Sequence, residues 1–437
     1  MKKIKTLSLS ALMLIIMAGL FTSCKKEDEQ PPTSGKNIAE IVSSDPNFSL
    51  LKKAVEKAGL GSALSSGSLT VFAPDNDAFV ASGITEATLE SLSVEALTGI
   101  LTYHVIGSKY VSSSIPSSGT LPTLSGINIY PSKTADSILI NGVKVKKADL
   151  IATNGVIHVI SKVLMPATIT DIVIWDPKFS ILKAAVVKAG LADALKQGTL
   201  TVFAPDNEAF AASNITESVI NSLPVADLTN ILLYHVVGAK VPSSAVPASD
   251  TVNTLLTTNI YASKNANGVF VNGISVKAAD VQAVNGVIHV ISKVLIPPTK
   301  TIAQIVSEDS DLSLLLGAVG TAGLVDAVSG EGKFTVFAPI NAAVLPLAST
   351  LSTLTEAQVA AIVKAHIFGT NVFSSDLTAG ATVPTLETGV SLVVGLTPPS
   401  VKIVGSANPA SNIIVPSGVD IIATNGVIHK IDRVLLP

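Results

Sequence analysis

The octapeptide Leu-Thr-Val-Phe-Ala-Pro-Asp-Asn occupies residues 69–76 and returns unchanged at residues 200–207. A second stretch, Asn-Gly-Val-Ile-His-Val-Ile-Ser-Lys-Val-Leu at 154–164, returns unchanged at 285–295. Both pairs are separated by 131 residues. A constant period of this length fixes the architecture before any local structure is considered, because each repeat is long enough to bury a core of its own. The pattern predicts a string of domains rather than a solenoid of short repeats.

A third, diverged copy carries Phe-Thr-Val-Phe-Ala-Pro at 334–339 and Thr-Asn-Gly-Val-Ile-His at 424–429. We therefore place three domains at 37–166, 168–297 and 301–437. The connections between them are too short to behave as flexible coils, so neighbouring domains are expected to hold limited orientations.

The composition excludes two broad classes. Of 437 residues, 48% are hydrophobic and only 14% charged, which is too apolar for a disordered chain. A nucleic-acid binder should present a basic stripe with stacking aromatics, yet the net charge is −3, aromatics make up 4%, and Arg433 is the only arginine.

The first 23 residues read as an export signal: Lys2, Lys3 and Lys5 precede a short apolar stretch. That stretch ends at Cys24, the only cysteine, in a context that resembles the lipobox of bacterial lipoproteins. Cys24 is therefore predicted to be acylated and to become the mature N-terminus, and the alternative is a plain signal peptide with a stray cysteine. Lipid on Cys24 would be the only link to a membrane, since no later stretch reads as a span.

Residues 24–36 form a charged tether rich in proline and glycine. The tether begins with Lys25-Lys26 and continues with acidic residues, which resembles the signal that sends lipoproteins of the Bacteroidota to the outer face of the outer membrane. The alternative is a solvated leader segment that carries no sorting signal.

Each domain begins with helical patterns and ends with strand patterns. Asp45-Pro46 predicts an N-cap followed by proline at the first helical position, with Phe48, Leu51 and Val55 at helical spacing. Later, Asn141-Gly142 separates two short β-rich runs, a strong hairpin signal because both central residues of that turn need positive φ. Helices first and strands afterwards favour an α+β fold over alternating βαβ units.

These landmarks together resemble the fasciclin-type adhesion domain: a Thr-Val-Phe-Ala-Pro-Asp-Asn box, a central Tyr-His pair, and a closing Asn-Gly-Val-Ile-His strand that leads to a proline. The resemblance covers nearly all of the chain after Gly35. It implies three tandem wedge-shaped β-sandwiches, each with a helical layer, and extracellular adhesion or matrix attachment without catalysis or cofactor.

The third domain departs from this pattern. Ala365-His366 replaces the Tyr-His pair, and Ile340-Asn341 replaces Asp-Asn. The Asn-Gly hairpin is replaced by a longer segment that contains four prolines. We expect the third domain to do less of whatever the Tyr-His pair does.

All six histidines fall at two equivalent places in the three domains. No second histidine, cysteine or carboxylate lies at metal-ligand spacing from any of them, and no Gly-x-Ser-x-Gly elbow occurs. We therefore predict no metal site and no catalytic residue. A histidine in an apolar strand, such as His158, is more often a hydrogen-bonded structural residue than a ligand.

In animal relatives of the fasciclin family, the Tyr-His pair and an Asp-aliphatic pair before the last strand have been assigned receptor-contacting roles. The alternative is that the first pair packs a helix-to-strand junction and that the aspartate is a turn residue. The matching positions are Tyr103, His104, Asp149, Leu150, Tyr234, His235, Asp280, Val281, Asp420 and Ile421.

Two further features point to sugars. Ser137 and Thr251 lie in short patterns that look like the O-glycosylation acceptor of the Bacteroidota. The lone Trp175 could stack on a sugar, although packing at the boundary between the first two domains is the more common role.

The sequence thus predicts a non-catalytic, lipid-anchored outer-membrane protein that presents repeated adhesion modules at the cell surface. Its expected partner is a matrix polymer, a cell-surface protein or a glycan. The alternative is an envelope glycan-binding accessory lipoprotein of a polysaccharide-uptake system, for which a shallow groove with exposed polar side chains and Trp175 at its rim would be the discriminating feature.

Overall fold

The structure is a computed structural model that describes residues 35–134, 136–330 and 332–437. The export signal, Cys24 and the tether up to residue 34 lie outside the described residues. Within the described ranges, no helix combines the length and apolarity needed to cross a bilayer.

Among its described residues, the first unit contains six α-helices and eight strands. Its helices are α1 (Ile38–Ser44), α2 (Ser49–Lys57), α3 (Gly61–Ser65), α4 (Asn76–Ala81), α5 (Glu86–Ser91) and α6 (Val94–Tyr103). Its strands are β1 (Leu69–Pro74), β2 (Val105–Ile106), β3 (Leu121–Pro122), β4 (Asn128–Ile129), β5 (Pro131–Lys133), β6 (Ile138–Ile140), β7 (Val143–Ala152) and β8 (Gly155–Ile160).

The second unit repeats this order. Its helices are α7 (Ile169–Trp175), α8 (Ser180–Lys188), α9 (Asn207–Ala212), α10 (Glu217–Ser222) and α11 (Val225–Tyr234). Its strands are β9 (Leu200–Pro205), β10 (Val236–Val237), β11 (Ser249–Asn253), β12 (Asn259–Asn265), β13 (Gly268–Val271), β14 (Ile274–Ala283) and β15 (Gly286–Ile291).

The third unit keeps the helices and rearranges the strands. Its helices are α12 (Ile302–Glu308), α13 (Ser313–Thr321), α14 (Val325–Ser329), α15 (Asn341–Val344), α16 (Ala348–Leu351) and α17 (Glu356–Ala365). Its strands are β16 (Phe334–Pro339), β17 (Ile367–Phe368), β18 (Thr382–Pro384), β19 (Ser391–Leu396), β20 (Pro399–Ile403), β21 (Ser411–Asn412), β22 (Ile421–Ala423) and β23 (Gly426–Ile431).

The two repeated sequence stretches are the central strands of each unit. In the first unit β1 pairs in parallel with β8, with Leu69 opposite Gly155 and Pro74 opposite Ile160. The same register recurs for β9 with β15 and for β16 with β23. Every residue of β1 and β8 is buried, which explains why both read as continuous apolar runs rather than as alternating ones.

Two hydrophobic cores flank the central strands. Val71 and Ala73 of β1 face the helices α1, α2 and α6, whereas Phe72 faces the opposite side. There β3 to β6 and the bulged strand β7 close the second core. The helical layer and the β-sandwich thus share one central sheet, so the α+β prediction is confirmed.

A side-chain bridge ties the start of each unit to its own last strand. Asn154, just before β8, accepts a hydrogen bond from the Ile38 amide at 2.9 Å and donates one to the Leu64 carbonyl at 2.9 Å. Asn285 and Asn425 make the equivalent bonds in the other two units. The asparagine therefore satisfies a helix-start amide that would otherwise be unpaired.

The glycine that follows this asparagine is held at a close approach. A Cβ at Gly155 would lie 2.1 Å from the Leu69 carbonyl oxygen, and the same position in the second and third units, Gly286 and Gly426, is equally crowded, at 1.9 and 2.1 Å. Only glycine fits where β8 passes so near the backbone of β1.

One local expectation, the single helix after Asp45, is modified. The helix expected after Asp45 is divided into a 3₁₀ turn, Pro46–Phe48, and α2, because Phe48 leaves helical geometry at φ −105° and ψ 20°. The side chain of Asn76 then accepts a bond from the Leu50 amide near the start of α2. In the third unit the Asn-Gly hairpin is absent as expected, and β18 to β21 form a separate sheet.

Candidate functional site

The hydroxyl of Tyr103 is the centre of a buried network at the end of α6. It donates to the Asn128 carbonyl at 3.1 Å and accepts from the Asn141 side-chain amide at 2.7 Å. Asn141 is the hairpin residue with φ 52°, and its Oδ1 accepts from the Tyr130 amide at 2.8 Å. Tyr103 is completely buried, and burial raises its pKa to about 12 despite the bond from Asn141.

The second unit repeats this network with Tyr234 and Asn272. The third unit has lost both partners together, since Ala365 stands where the tyrosine was and the Asn-Gly hairpin is gone. A tyrosine hydroxyl without the asparagine would leave a buried polar atom less well satisfied, so the joint loss has a physical reason.

His104 joins the C-terminus of α6 to the segment after the last strand. Its Nδ1 bonds the Ile100 carbonyl at 2.8 Å, and its Nε2 accepts from the Leu164 amide at 2.9 Å. The accepting Nε2 carries no proton, so the ring is neutral with its hydrogen on Nδ1. His235 and His366 make the same two bonds. Burial, partly offset by the carbonyl bond, lowers the pKa of each of the three to about 4.

His158 holds a second network with the opposite tautomer. Its Nδ1 accepts from the Asp149 amide at 3.3 Å, so Nε2 donates to the Tyr110 carbonyl at 2.8 Å. The Asp149 carboxylate accepts from both the amide and the hydroxyl of Ser112. The networks of Asp280 and Asp420 are equivalent. Burial raises the pKa of Asp280, but the two bonds from Ser243 outweigh it and hold that pKa below its usual value.

This arrangement is not that of a nucleophilic triad. The Ser112 hydroxyl donates to a carboxylate rather than to an imidazole, and the His158 nitrogen that faces Asp149 is already used as an acceptor for a backbone amide. A general base must reach the hydroxyl that it activates. Among the described residues there is also no group of three or more histidine, cysteine or acidic side chains that could hold a metal ion.

The residues predicted as partner contacts therefore lie inside the units or half-buried at their edges. Tyr103 and Tyr234 are fully buried, and His104 and His235 are 3% exposed. The aliphatic partners Leu150, Val281 and Ile421 pack partly buried against the helical cores. The tyrosine network and the aspartate network share no hydrogen-bonded member. A direct contact role for these ten residues stays a prediction.

Replacing Asp149 separates a structural role from a contact role. Asp149→Ala removes the acceptor of two bonds and puts alanine at φ 59°, so we expect a loss of about 2–3 kcal/mol in the stability of the first unit. Asp149→Asn keeps one acceptor and tolerates that φ, so its loss should be smaller. Hydrogen exchange of β8 amides measures both. Equal stability of wild type and Asp149→Ala would contradict the structural role.

The two junctions between units are built differently. At the first, Trp175 of α7 packs on Tyr130 with ring centroids 6.4 Å apart, as the packing alternative for Trp175 anticipates. At the second, Tyr261, the repeat equivalent of Tyr130, packs on Phe373 at 5.1 Å. Asn265 also donates across the second junction to the Ser375 carbonyl at 2.7 Å.

A polar cleft remains open at the second junction. Two adjoining cavities of about 370 and 450 Å³ share the lining residues Tyr261, Lys333 and Asn371. We call this space the junction cleft. None of these three residues was predicted from the sequence to belong to a site. The signal that could have indicated them is the tyrosine at the position of Tyr130, combined with the absence of a tryptophan at the position of Trp175 in the third unit.

The two predicted O-glycosylation residues have different surroundings. Ser137 is half-buried and shares a hydrogen bond of 2.9 Å with the Thr134 hydroxyl at a hairpin end. The Thr251 hydroxyl accepts from Lys333 across the junction cleft at 3.2 Å. Modification of either residue stays a prediction.

Fold and site together define a protein of tandem α+β modules, each fastened internally by two hydrogen-bonded histidines. The chain belongs to the fasciclin domain family, whose model matches residues 46–166, 177–297 and 310–437.

Three similar proteins illustrate the range of the family. Transforming growth factor-beta-induced protein ig-h3 of Sus scrofa is 29% identical over 94% of this chain and 59% of its own length. Periostin of Homo sapiens is 26% identical over 92% of this chain and 48% of its own length. The chain thus spans about half the length of these relatives. A solved FAS1 domain pair from the insect cell adhesion molecule Fasciclin I is 23% identical, with a TM-score of 0.30, over 59% of this chain and 96% of that structure.

Proposed function

We propose that the protein is a lipid-anchored adhesion or matrix-attachment protein of the bacterial cell surface, without catalytic activity. The observation that carries the proposal is the series of three family domains, each with its own core, joined by packed junctions. Such a rod presents similar surfaces in a fixed order, and several weak contacts then act together through their high effective concentration.

The partner proposed is a matrix polymer, a cell-surface protein or a glycan, and the anchor is the acylated Cys24. The lysine-rich and then acidic tether supports an outer-membrane lipoprotein of the Bacteroidota, exposed to the medium. The alternative role, a glycan-binding accessory of polysaccharide uptake, is favoured by one feature, the junction cleft.

Protease treatment of intact cells tests anchor and surface exposure together. With an antibody against the third unit, we expect the signal to disappear from intact wild-type cells, because a surface rod is accessible to protease. The Cys24→Ala variant should leave the membrane fraction. Protection of the wild-type protein until the outer membrane is broken would rule out adhesion to other cells or to an external matrix.

A further inference from the structure

The junction cleft is lined largely by polar residues. Besides the three shared residues, the polar residues Thr258, Asn259 and Thr424 line the smaller cavity. The larger cavity adds Asp250 and Asp376. The volumes of both fall in the range of small-ligand sites, roughly 300–1,000 Å³. These walls therefore suit a ligand that is itself rich in hydrogen-bonding groups.

One polar side-chain atom of a residue that lines the cleft lacks a hydrogen-bond partner among the described residues. The side-chain oxygen of Asn371 is buried and makes no hydrogen bond within the described part of the chain. A buried acceptor without a partner destabilises the folded protein, so a hydroxyl donor that reaches it would relieve that cost. Asn371 lines both cavities, so its side chain lies where the two cavities meet.

The charges and the aromatic group narrow the ligand class. Lys333 brings one positive charge, and Asp250 and Asp376 bring acidic groups to the same space, so the cleft does not select a strong anion. Burial raises the pKa of Asp376 above its usual value. Tyr261 is half-buried and adds an apolar surface beside the polar walls. Sugars combine hydroxyl groups with apolar C–H faces, and both kinds of group find partners here.

From this geometry we propose that the junction cleft binds a neutral segment of polysaccharide between the second and third units. This inference rests on the proposed attachment function and names its partner class. The first junction provides the internal contrast, because there Trp175 already packs on Tyr130.

The test uses the full chain in detergent and an array of neutral glucan, mannan and xylan oligosaccharides. We expect at least one of these to bind. Lys333→Ala and Asn371→Ala should each weaken that binding about tenfold, because each removes one hydrogen-bonding group from the wall. The matched control is Lys240→Ala. Lys240 is the residue of the second unit that is equivalent to Asn371. In both units the next residue along the chain donates its backbone amide to the hydroxyl of the threonine in the central strand.

Three results would overturn the inference. The first is that no oligosaccharide of the array binds. The second is that the Lys240→Ala control loses as much affinity as the cleft variants. The third is that the mass of the intact protein shows a sugar already attached to Thr251, since that sugar would fill the cleft. Attachment of cells is measured separately. Cells that still adhere while the purified protein binds no oligosaccharide would remove the cleft inference alone, whereas binding without surface exposure would remove the adhesion proposal alone.

Discussion

Replacing Gly155 by alanine is expected to unfold the first unit under conditions in which the other two units stay folded. The new Cβ would meet the Leu69 carbonyl oxygen at 2.1 Å, and a backbone oxygen in the central strand pair has nowhere to move. Separating β1 from β8 disturbs both cores at once, so the expected loss is roughly 3 kcal/mol or more. Hydrogen exchange measured by mass spectrometry should show β1 and β8 peptides exchanging fast, with β9 and β15 still protected.

The chain offers a matched control for this substitution in the same unit. Gly99 lies in α6, has no heavy atom within 4 Å of its would-be Cβ, and does not adopt positive φ. Gly99→Ala should therefore stabilise the unit slightly, by about 0.5–1 kcal/mol, because alanine favours the helix. Unchanged protection of β1 in Gly155→Ala would show that the two strands are not held as closely as described.

Acidification from pH 7 to pH 5 is expected to lower the free energy of unfolding of each unit by about 2 kcal/mol. His104, His235 and His366 have a pKa of about 4 in the folded state against 6.5 in the unfolded chain. Below pH 6.5 the histidine is therefore protonated in the unfolded state but not in the folded state, so the free energy of unfolding falls as the pH drops towards 4. Aspartates such as Asp280, with a lowered pKa, lose their contribution only at more acidic pH.

The His104→Asn variant tests the assignment of this effect. The first unit of the variant should be less stable at pH 7, because the bond from the Leu164 amide is lost. Its stability should also change less between pH 7 and pH 5 than that of the other two units, measured by hydrogen exchange corrected for the chemical exchange rate at each pH. An unchanged pH dependence in that unit would exclude His104 as the titrating group.

The sequence alone predicts the central strands, because their apolar runs are repeated and both are buried on two faces. It also predicts the Asn141 turn, since the Asn-Gly pair suits positive φ. The first helix, α1, was missed because it has only seven residues and a weak period. Its readable signal was the capping box, in which Asn37 and Glu40 bond each other's backbone amides.

The candidate sites were harder to predict because they depend on contacts distant in sequence. Nothing local shows that Asn141 reaches Tyr103, 38 residues away, or that Ser112 meets Asp149, 37 residues away. The junction cleft depends on how two units meet. Repeat equivalence predicts similar junctions, but Tyr130 and Tyr261 find different aromatic partners and the geometry diverges.

The parallel central pair has a mechanical consequence under the proposed anchoring of the chain at Cys24. Each unit begins beside the start of its own last strand, where Asn154 holds the Ile38 amide, and the chain leaves the unit from the far end of that strand. Tension between anchor and partner therefore runs along β8. This tension loads the hydrogen bonds from β8 to β1 and β7 in shear. Those bonds must then break together and not one after another. The strand that carries the pull is thus one of the two whose sequences are repeated unchanged in the second unit.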